Sequence, residues 1–293
     1  MNLSNIINEP KFGNTRLGRR ARFWYYRLFG IAISLYEYEN LPDSVNRDYL
    51  EAVLHAQGSI GWVKDKSGKL RALYGAYIGV DPYNFPVAYE TANPVLGNLK
   101  GSIGVNAVWM RNNKLAMPTM ETIREYAWDF ANLDVSLRVN LDNLKTAKIY
   151  NAENSAQAKQ INELYEKVIS GQPAVVTNNE DFFSTDNGLK VFAEGVQSHI
   201  TEFLEAKRTL LGEFLNIFGV NSTAYEKRER LLQSEVDSNN QELEINKNFF
   251  LSTRKEAIDE INRLFGENIK VKLIEAEKII NEEVDVYDET QTG

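Results

Sequence analysis

The sequence predicts an α+β fold in which long helices carry two inserts, and three observations predict it. Apolar residues at Ile123, Tyr126, Phe130, Leu133, Leu137, Leu141 and Leu144 recur at steps of three and four, which puts them on one helical stripe. A second stripe, Ile200, Phe203, Leu204, Leu211, Phe214, Leu215 and Phe218, stops at Gly219. Between Gly58 and Met117 the pattern changes to strands, with Pro82, Pro86 and Pro94 marking loops or edges.

In chain order, Leu17 to Tyr38 reads as a helix that is apolar round much of its circumference, so it needs neighbours on several sides. Leu41-Pro42-Asp43 ends it, because the residue before a proline is pushed out of the α region. Asp48 to Gln57 is a short helix stopped by Gly58. Ile60 to Val63 and Leu70 to Val80 flank Asp65-Lys66-Ser67-Gly68, a hairpin turn. Val87 to Thr91 and Ile103 to Met110 are further strands, and Arg111-Asn112-Asn113-Lys114 is another turn. Thr119 caps a helix from Met120 to Ile149, about 45 Å long, which needs a long partner. In the less regular insert that follows, Ile161 to Ile169 reads as helix, Ala174 to Val176 as a short strand and 178–188 as turns. Ser198 to Phe218 is the next helix, with Gly219 suited to the left-handed position beyond its end. A second amphipathic segment opens near Ser252, stops at Gly266 and gives way to an alternating strand. Beyond Leu273 the chain turns acidic, with only Lys278 opposing its carboxylates.

Composition narrows the chemistry. A chain of 293 residues with 43 % hydrophobic and 25 % charged residues reads as an ordinary soluble globular protein. With no cysteine there is no disulfide, thiolate metal site or Cys nucleophile. His55 and His199 are the only histidines, and both read as structural. No Walker-A, Rossmann, HExxH or G-x-S-x-G pattern occurs, so no catalytic residue, cofactor or metal site is expected. The apolar run from Phe23 to Tyr36 contains Arg27 and is too short to cross a bilayer. No small-residue cleavage site follows it, so a cytoplasmic origin is expected.

The net charge of −8 hides an asymmetry. Lys11, Arg16, Arg19, Arg20, Arg22 and Arg27 oppose only Glu9 in the first thirty residues, which leaves a basic arm on an acidic body. Arg16, Arg19, Arg20, Arg22 and Arg27 are interleaved with Phe23, Trp24 and Tyr25. That mix suits phosphate contact with base stacking. It equally suits a positive helix end docking on an acidic neighbour. Lys207 and Arg208 lie away from much of the apolar stripe of their helix. Between Ser222 and Asn240, Lys227, Arg228 and Arg230 alternate with Glu226, Glu229, Glu235 and Asp237.

Four blocks, in this order and spacing, carry a family resemblance. They are Tyr36–Asp65 (YEYENLPDSVNRDYLEAVLHAQGSIGWVKD), Lys114–Leu133 (KLAMPTMETIREYAWDFANL), VFAEG…FLEAKRTLLGEFLNIFGV ending at Val220, and Phe214–Leu273. The chain resembles the upper collar, or head–tail connector (portal), proteins of small short-tailed bacteriophages with protein-primed genomes. The resemblance implies a portal fold. A flexible basic arm (1–16) precedes the first stem helix and its connection (17–57). A β-rich wing (58–118), a long stem helix (119–149), a small α/β clip (150–189) and a further stem helix (190–219) follow. A tunnel loop (220–244), a wing helix and strand (245–274), and a helical crown with an acidic tail (275–293) complete the chain.

The family's function implies a homo-oligomer, a dodecameric ring that conducts double-stranded DNA and joins capsid to tail. The implied partners are major capsid and scaffolding proteins, a lower collar or tail protein and a packaging ATPase, with a packaging RNA in some members. No membrane is implied, and the expected location is the portal vertex of the virion, assembled in the host cytoplasm. Lys227, Arg228 and Arg230 match the basic tunnel-loop positions. Twelve loops would carry 36 cations (12 × 3), and the interleaved carboxylates would weaken each contact and let DNA slide. Lys207 with Arg208 would add a cationic ring, although Glu202 replaces a lysine of the family pattern. Another ring-forming collar or tail adaptor is the alternative reading. A metal-dependent nuclease on the same α+β body is the third, and the poor set of metal ligands argues against it.

Overall fold

A computed structural model describes residues 10–145, 159, 198–221 and 233–274. The chain divides into two compact units, one of residues 1–131 with 208–293 and one of residues 132–207. The clip elements expected at 161–188 and the crown at 275–293 lie outside the described residues, as does the expected extension of the long helix to Ile149.

The first unit opens on helix α1, Arg16–Ser34. Thr15 caps it by accepting from the Gly18 N–H at 3.0 Å. Phe12 lies buried against the start of this helix, with its ring 5.3 Å from Tyr25 and 5.8 Å from Trp128. A side chain at Gly18 would collide with the Phe12 carbonyl oxygen. The arm expected to be flexible through residue 16 is therefore fixed from Phe12 onward. Helix α1 also ends earlier than Tyr38. The Arg47 guanidinium accepts the task of satisfying its last turn, donating to Ile33 O, Ser34 O and Tyr36 O. Tyr36-Glu37-Tyr38-Glu39 alternates with period two and becomes strand β1 (Tyr36–Glu39).

Helix α2 (Arg47–Gln57) is capped by Asn46, which accepts from Tyr49 N, and stops at left-handed Gly58 as expected. Strands β2 (Ser59–Lys64) and β3 (Leu70–Leu73) form the expected hairpin, with Asp65 gathering the turn through Ser67, Lys69 and Arg71. The expected single strand Leu70 to Val80 is two strands. Gly75 separates β3 from β4 (Ala76–Val80), because only a residue without Cβ can approach the Glu90 carbonyl and the Tyr89 ring this closely. Strand β4 joins a second sheet, β4–β5–β6, with β5 at Pro86–Asn93 and β6 at Gly97–Ser102. Strand β6 was not expected from its Gly-Asn-Leu-Lys-Gly-Ser sequence. The expected strand Ile103 to Met110 starts only at Ala107, because Gly104 (φ +82°) turns the chain first. That strand, β7 (Ala107–Arg111), pairs with β2 and completes the sheet β3–β2–β7.

Helix α3 spans Met120–Lys145 and helix α4 spans Ile200–Ile217. The last helix among the described residues, α5, spans Gln233–Phe265. It was expected to open near Ser252, but its 33 residues measure about 50 Å and reach back to Gln233. The segment lacks Gly and Pro, and Ser252 does not cap a helix there; its hydroxyl donates back to Asn248 O. Left-handed Gly266 ends α5, and Asn262 clamps Ile269 through both N–H and C=O. Strand β8 (Lys270–Leu273) then pairs antiparallel with β1, Tyr36 opposite Leu273. The core of this unit joins α1, α2, α5, the start of α3 and the end of α4, through residues such as Tyr25, Leu54, Phe130, Phe218 and Ile261.

In the second unit α3 and α4 run antiparallel. Lys207 meets Asp134 at 2.6 Å, and the His199 N–H donates to Asn140 Oδ1 at 3.3 Å.

Candidate nucleic-acid interface

Lys227, Arg228 and Arg230 lie outside the described residues, but both flanks of their segment are described. Helix α4 finishes in a Schellman motif: the Gly219 N–H donates to Asn216 O and the Val220 N–H to Leu215 O. Gly219 (φ +78°) is pressed onto α5 so closely that a Cβ would stand 2.4 Å from the Lys247 backbone. Asn246 Nδ2 donates to Asn216 O, and the Phe218 and Phe250 rings meet at 5.1 Å. Two helices are thereby locked at one crossing. From it, α5 runs back to Gln233 over about 21 Å. The expected tunnel loop of 220–244 is therefore helical from Gln233 onward. Within it Gln241, Glu242 and Glu244 are exposed, as is Ile245 just beyond.

Arg16, Arg19, Arg20 and Arg22 are exposed on α1, with Arg27 half-buried. The Arg20 guanidinium lies 4.9 Å from the Phe23 ring, and Arg19 Nη1 donates to Asn14 O. Of the three aromatics expected beside the arginines, only Phe23 faces outward. Trp24 and Tyr25 are buried, because neighbours on a helix point about 100° apart and a run of rings straddles two faces. Tyr26 joins Phe23 on the outer face. The first turn of α1 carries no acidic residue. Cations at a helix N-terminus oppose its macrodipole, so this stripe works against its own helix, as residues do when a partner uses them. Lys207 has a different setting. Its ammonium sits on Asp134, whose side chain is only 8 % exposed, so a large part of its charge is spent inside its own unit.

Sequence reasoning missed two fully buried charges. Arg254 on α5 and Glu51 on α2 are both fully buried and meet twice, Nη2 to Oε2 at 2.7 Å and Nε to Oε1 at 3.1 Å. Arg254 also donates to Asn112 O, Asn112 Oδ1 and Phe250 O, and its guanidinium lies over the Tyr36 ring at 3.8 Å. Tyr38 donates its hydroxyl to Glu51 at 2.5 Å. Burial pushes the Glu51 carboxyl up, but the charge and hydrogen bonds of Arg254 outweigh it and hold the group below its ordinary value. The signal was a charged residue set in each apolar stripe, Glu51 beside Leu50 and Arg254 beside Ala257 and Ile258.

His55 is structural, as expected. Its Nδ1 lies 2.6 Å from the hydroxyl of Thr119, whose carbonyl accepts from the Ile123 N–H at the start of α3. Burial pushes the imidazole down to about 4, more than the nearby Glu51 carboxylate pushes it up. The unfolded chain then binds this proton at a higher pH than the folded chain does. His55 therefore supports folding fully above about pH 6.5, and that contribution, up to about 3 kcal/mol, is lost as pH falls towards 4. Thermal melts should drop across this window, and His55→Gln should flatten the drop. An equal drop in the variant would assign the acid sensitivity elsewhere.

Among the described residues no group of three or more His, Asp or Glu side chains could hold a metal ion. Among them also, no helix is long and apolar enough to cross a membrane.

Comparison with known proteins matches this architecture. The portal protein of Staphylococcus phage 44AHJD is 26 % identical over 166 residues, 56 % of this chain. The alignment covers 65 % of that relative's length. A chain of the solved portal and tail of native bacteriophage P68 is 20 % identical, the match covers 95 % of this chain and 94 % of that one, and the TM-score of 0.55 shows a shared fold. The profile of the phage connector (GP10) family matches residues 7–279, nearly the whole length, and the chain belongs to that family.

Proposed function

We propose that this chain is a portal subunit. Copies assemble into a ring, about twelve to the ring, at one vertex of a phage head. The ring joins head to tail and conducts double-stranded DNA inward during packaging and outward during ejection. The single observation that carries this reading is the family match across residues 7–279. The physical character of the chain supports it. An acidic body repels a polyanion from most of a channel wall. Lys227, Arg228 and Arg230, between α4 and α5 in the sequence, supply cations interleaved with Glu226, Glu229, Glu235 and Asp237, which suits weak contact with a sliding duplex. The role needs no catalytic group, because a packaging ATPase supplies the work and docks on the ring. Capsid and scaffolding proteins surround it during assembly, a lower collar or tail protein binds afterwards, and a packaging RNA joins where the motor uses one.

Mass measurement at micromolar protein tests the reading, with negative-stain images beside it. The expected result is one large species near twelve copies, with a central hole. A stable monomer would overturn the reading.

A further inference from the structure

Two rows of opposite charge lie on the outer faces of α1 and α3. On α1 the exposed row is Arg16, Arg19 and Arg20, with Phe23 and Tyr26 48 % and 46 % exposed beside it. On α3 the row is Glu121, Glu125 and Asp129, all exposed. Arg124 bridges Glu121 and Glu125, so the row keeps an excess of negative charge. Burial raises the Asp129 carboxyl, and the Glu125 charge adds to it, which is a like-charge crowding that an incoming cation would relieve.

Glu121 and Glu125 face away from the arginines of their own copy. Phe130 of α3 stacks on Trp24 of α1 at 4.3 Å, which fixes the side of α3 that faces α1. At about 100° per residue, Glu121 and Glu125 lie roughly 180° and 140° round the helix from Phe130. The body of α3, about 10 Å thick, stands between them and the arginines of the same chain. The two rows do match in spacing. Arg16 to Arg20, Glu121 to Glu125 and Glu125 to Asp129 each advance four residues, about 6 Å.

We propose that the arginine and aromatic face of α1 docks on the carboxylate face of α3 in a second copy of this chain. Two different faces on one copy make a heterologous contact, the kind that closes a ring by rotation. Each copy gives an α1 face to one neighbour and offers an α3 face to the other. The proposal rests on the ring assembly proposed above. Arg16, Arg19 and Arg20 then serve subunit contact, not nucleic acid.

The test uses two full-length variants, Arg16→Glu with Arg20→Glu, and Glu121→Arg with Glu125→Arg. Each sets like charges against one another in every interface. Each alone should need at least about tenfold more protein to form rings, with the deficit shrinking at high salt. Mixed one to one, the two variants should form rings again, because each face then meets its complement on the neighbouring copy. Circular dichroism should show both variants folded. Rings from either variant at the parent's concentration would overturn the proposal, as would a mixture that stays unassembled. Intact rings with weakened DNA binding and a flatter salt slope would overturn it too, and return the arginines to nucleic acid. A parent protein that forms no ring would instead sink the ring reading itself, which keeps the two failures distinct.

Discussion

Arg254→Leu is expected to destabilise the folded chain by about 3–5 kcal/mol, because it strands a carboxylate in the core. Glu51 is fully buried and takes both of its charged hydrogen bonds from Arg254. Without them the Tyr38 hydroxyl remains, with His55 3.8 Å away. The ordinary escape is protonation, which restores neutrality at the expense of much of that energy. The loss should lower the melting temperature by about 10 °C or more. The double variant Arg254→Leu with Glu51→Leu removes both charges and should recover most of the loss, since a buried ion pair is often worth no more than apolar residues of similar size. The pair also has a pH signature. Glu51 gives up its proton more readily when folded, so its contribution is present above the ordinary carboxylate range and is lost as pH falls below it. That window lies below the one set by His55. Thermal melts followed by circular dichroism decide the matter. A single variant that melts within a degree or two of the parent would mean that the pair is not holding α5 to α2.

The same pair marks the limit of what the sequence could say. Glu51 and Arg254 are 203 positions apart, and nothing local joins them. Each is visible only as a charge set into an apolar stripe, which says that a partner exists and not which one. Local signals did better. Gly58, Gly219 and Gly266 stop helices because each sits at positive φ. The stripe of α3 is buried at Ile123 and Phe130 and that of α4 at Phe214, Leu215 and Phe218, whereas Leu204 is exposed. Strand β6 fell outside local reasoning because Gly97-Asn98-Leu99-Lys100-Gly101-Ser102 has poor strand propensity and is held by pairing with β5. The start of α5 was ambiguous for the reverse reason: a charged run without Gly or Pro suits either a solvated loop or a solvated helix. In the candidate site, Arg16, Arg19 and Arg20 were legible as exposed residues. Their neighbours Trp24 and Tyr25 were not legible as core, because composition ignores the angle between adjacent residues.

Replacing Lys227, Arg228 and Arg230 by Ala is expected to leave folding, ring formation and the start of packaging intact, and to abolish retention of the full genome. Helix α4 is fixed to α5 at Gly219, and α5 is continuous from Gln233, so a change between them alters charge without loosening either anchor. In a ring of about twelve copies the substitution removes about 36 cations (12 × 3) from one level of the proposed channel. Contact with phosphate supplies most of the sequence-independent affinity for DNA, so its loss falls on the step that depends on grip. That step comes late in packaging, when the confined genome presses outward. Heads should fill and then leak, and infectious yield should fall by about tenfold or more. Glu226→Gln with Glu229→Gln makes the opposite prediction. Removing the interleaved carboxylates should tighten contact, preserve retention and slow both packaging and ejection. The two variants separate a tuned brake from a passive surface segment, because a passive segment would show neither effect. Full-length DNA held by the alanine variant as firmly as by the parent would overturn the assignment of these three residues.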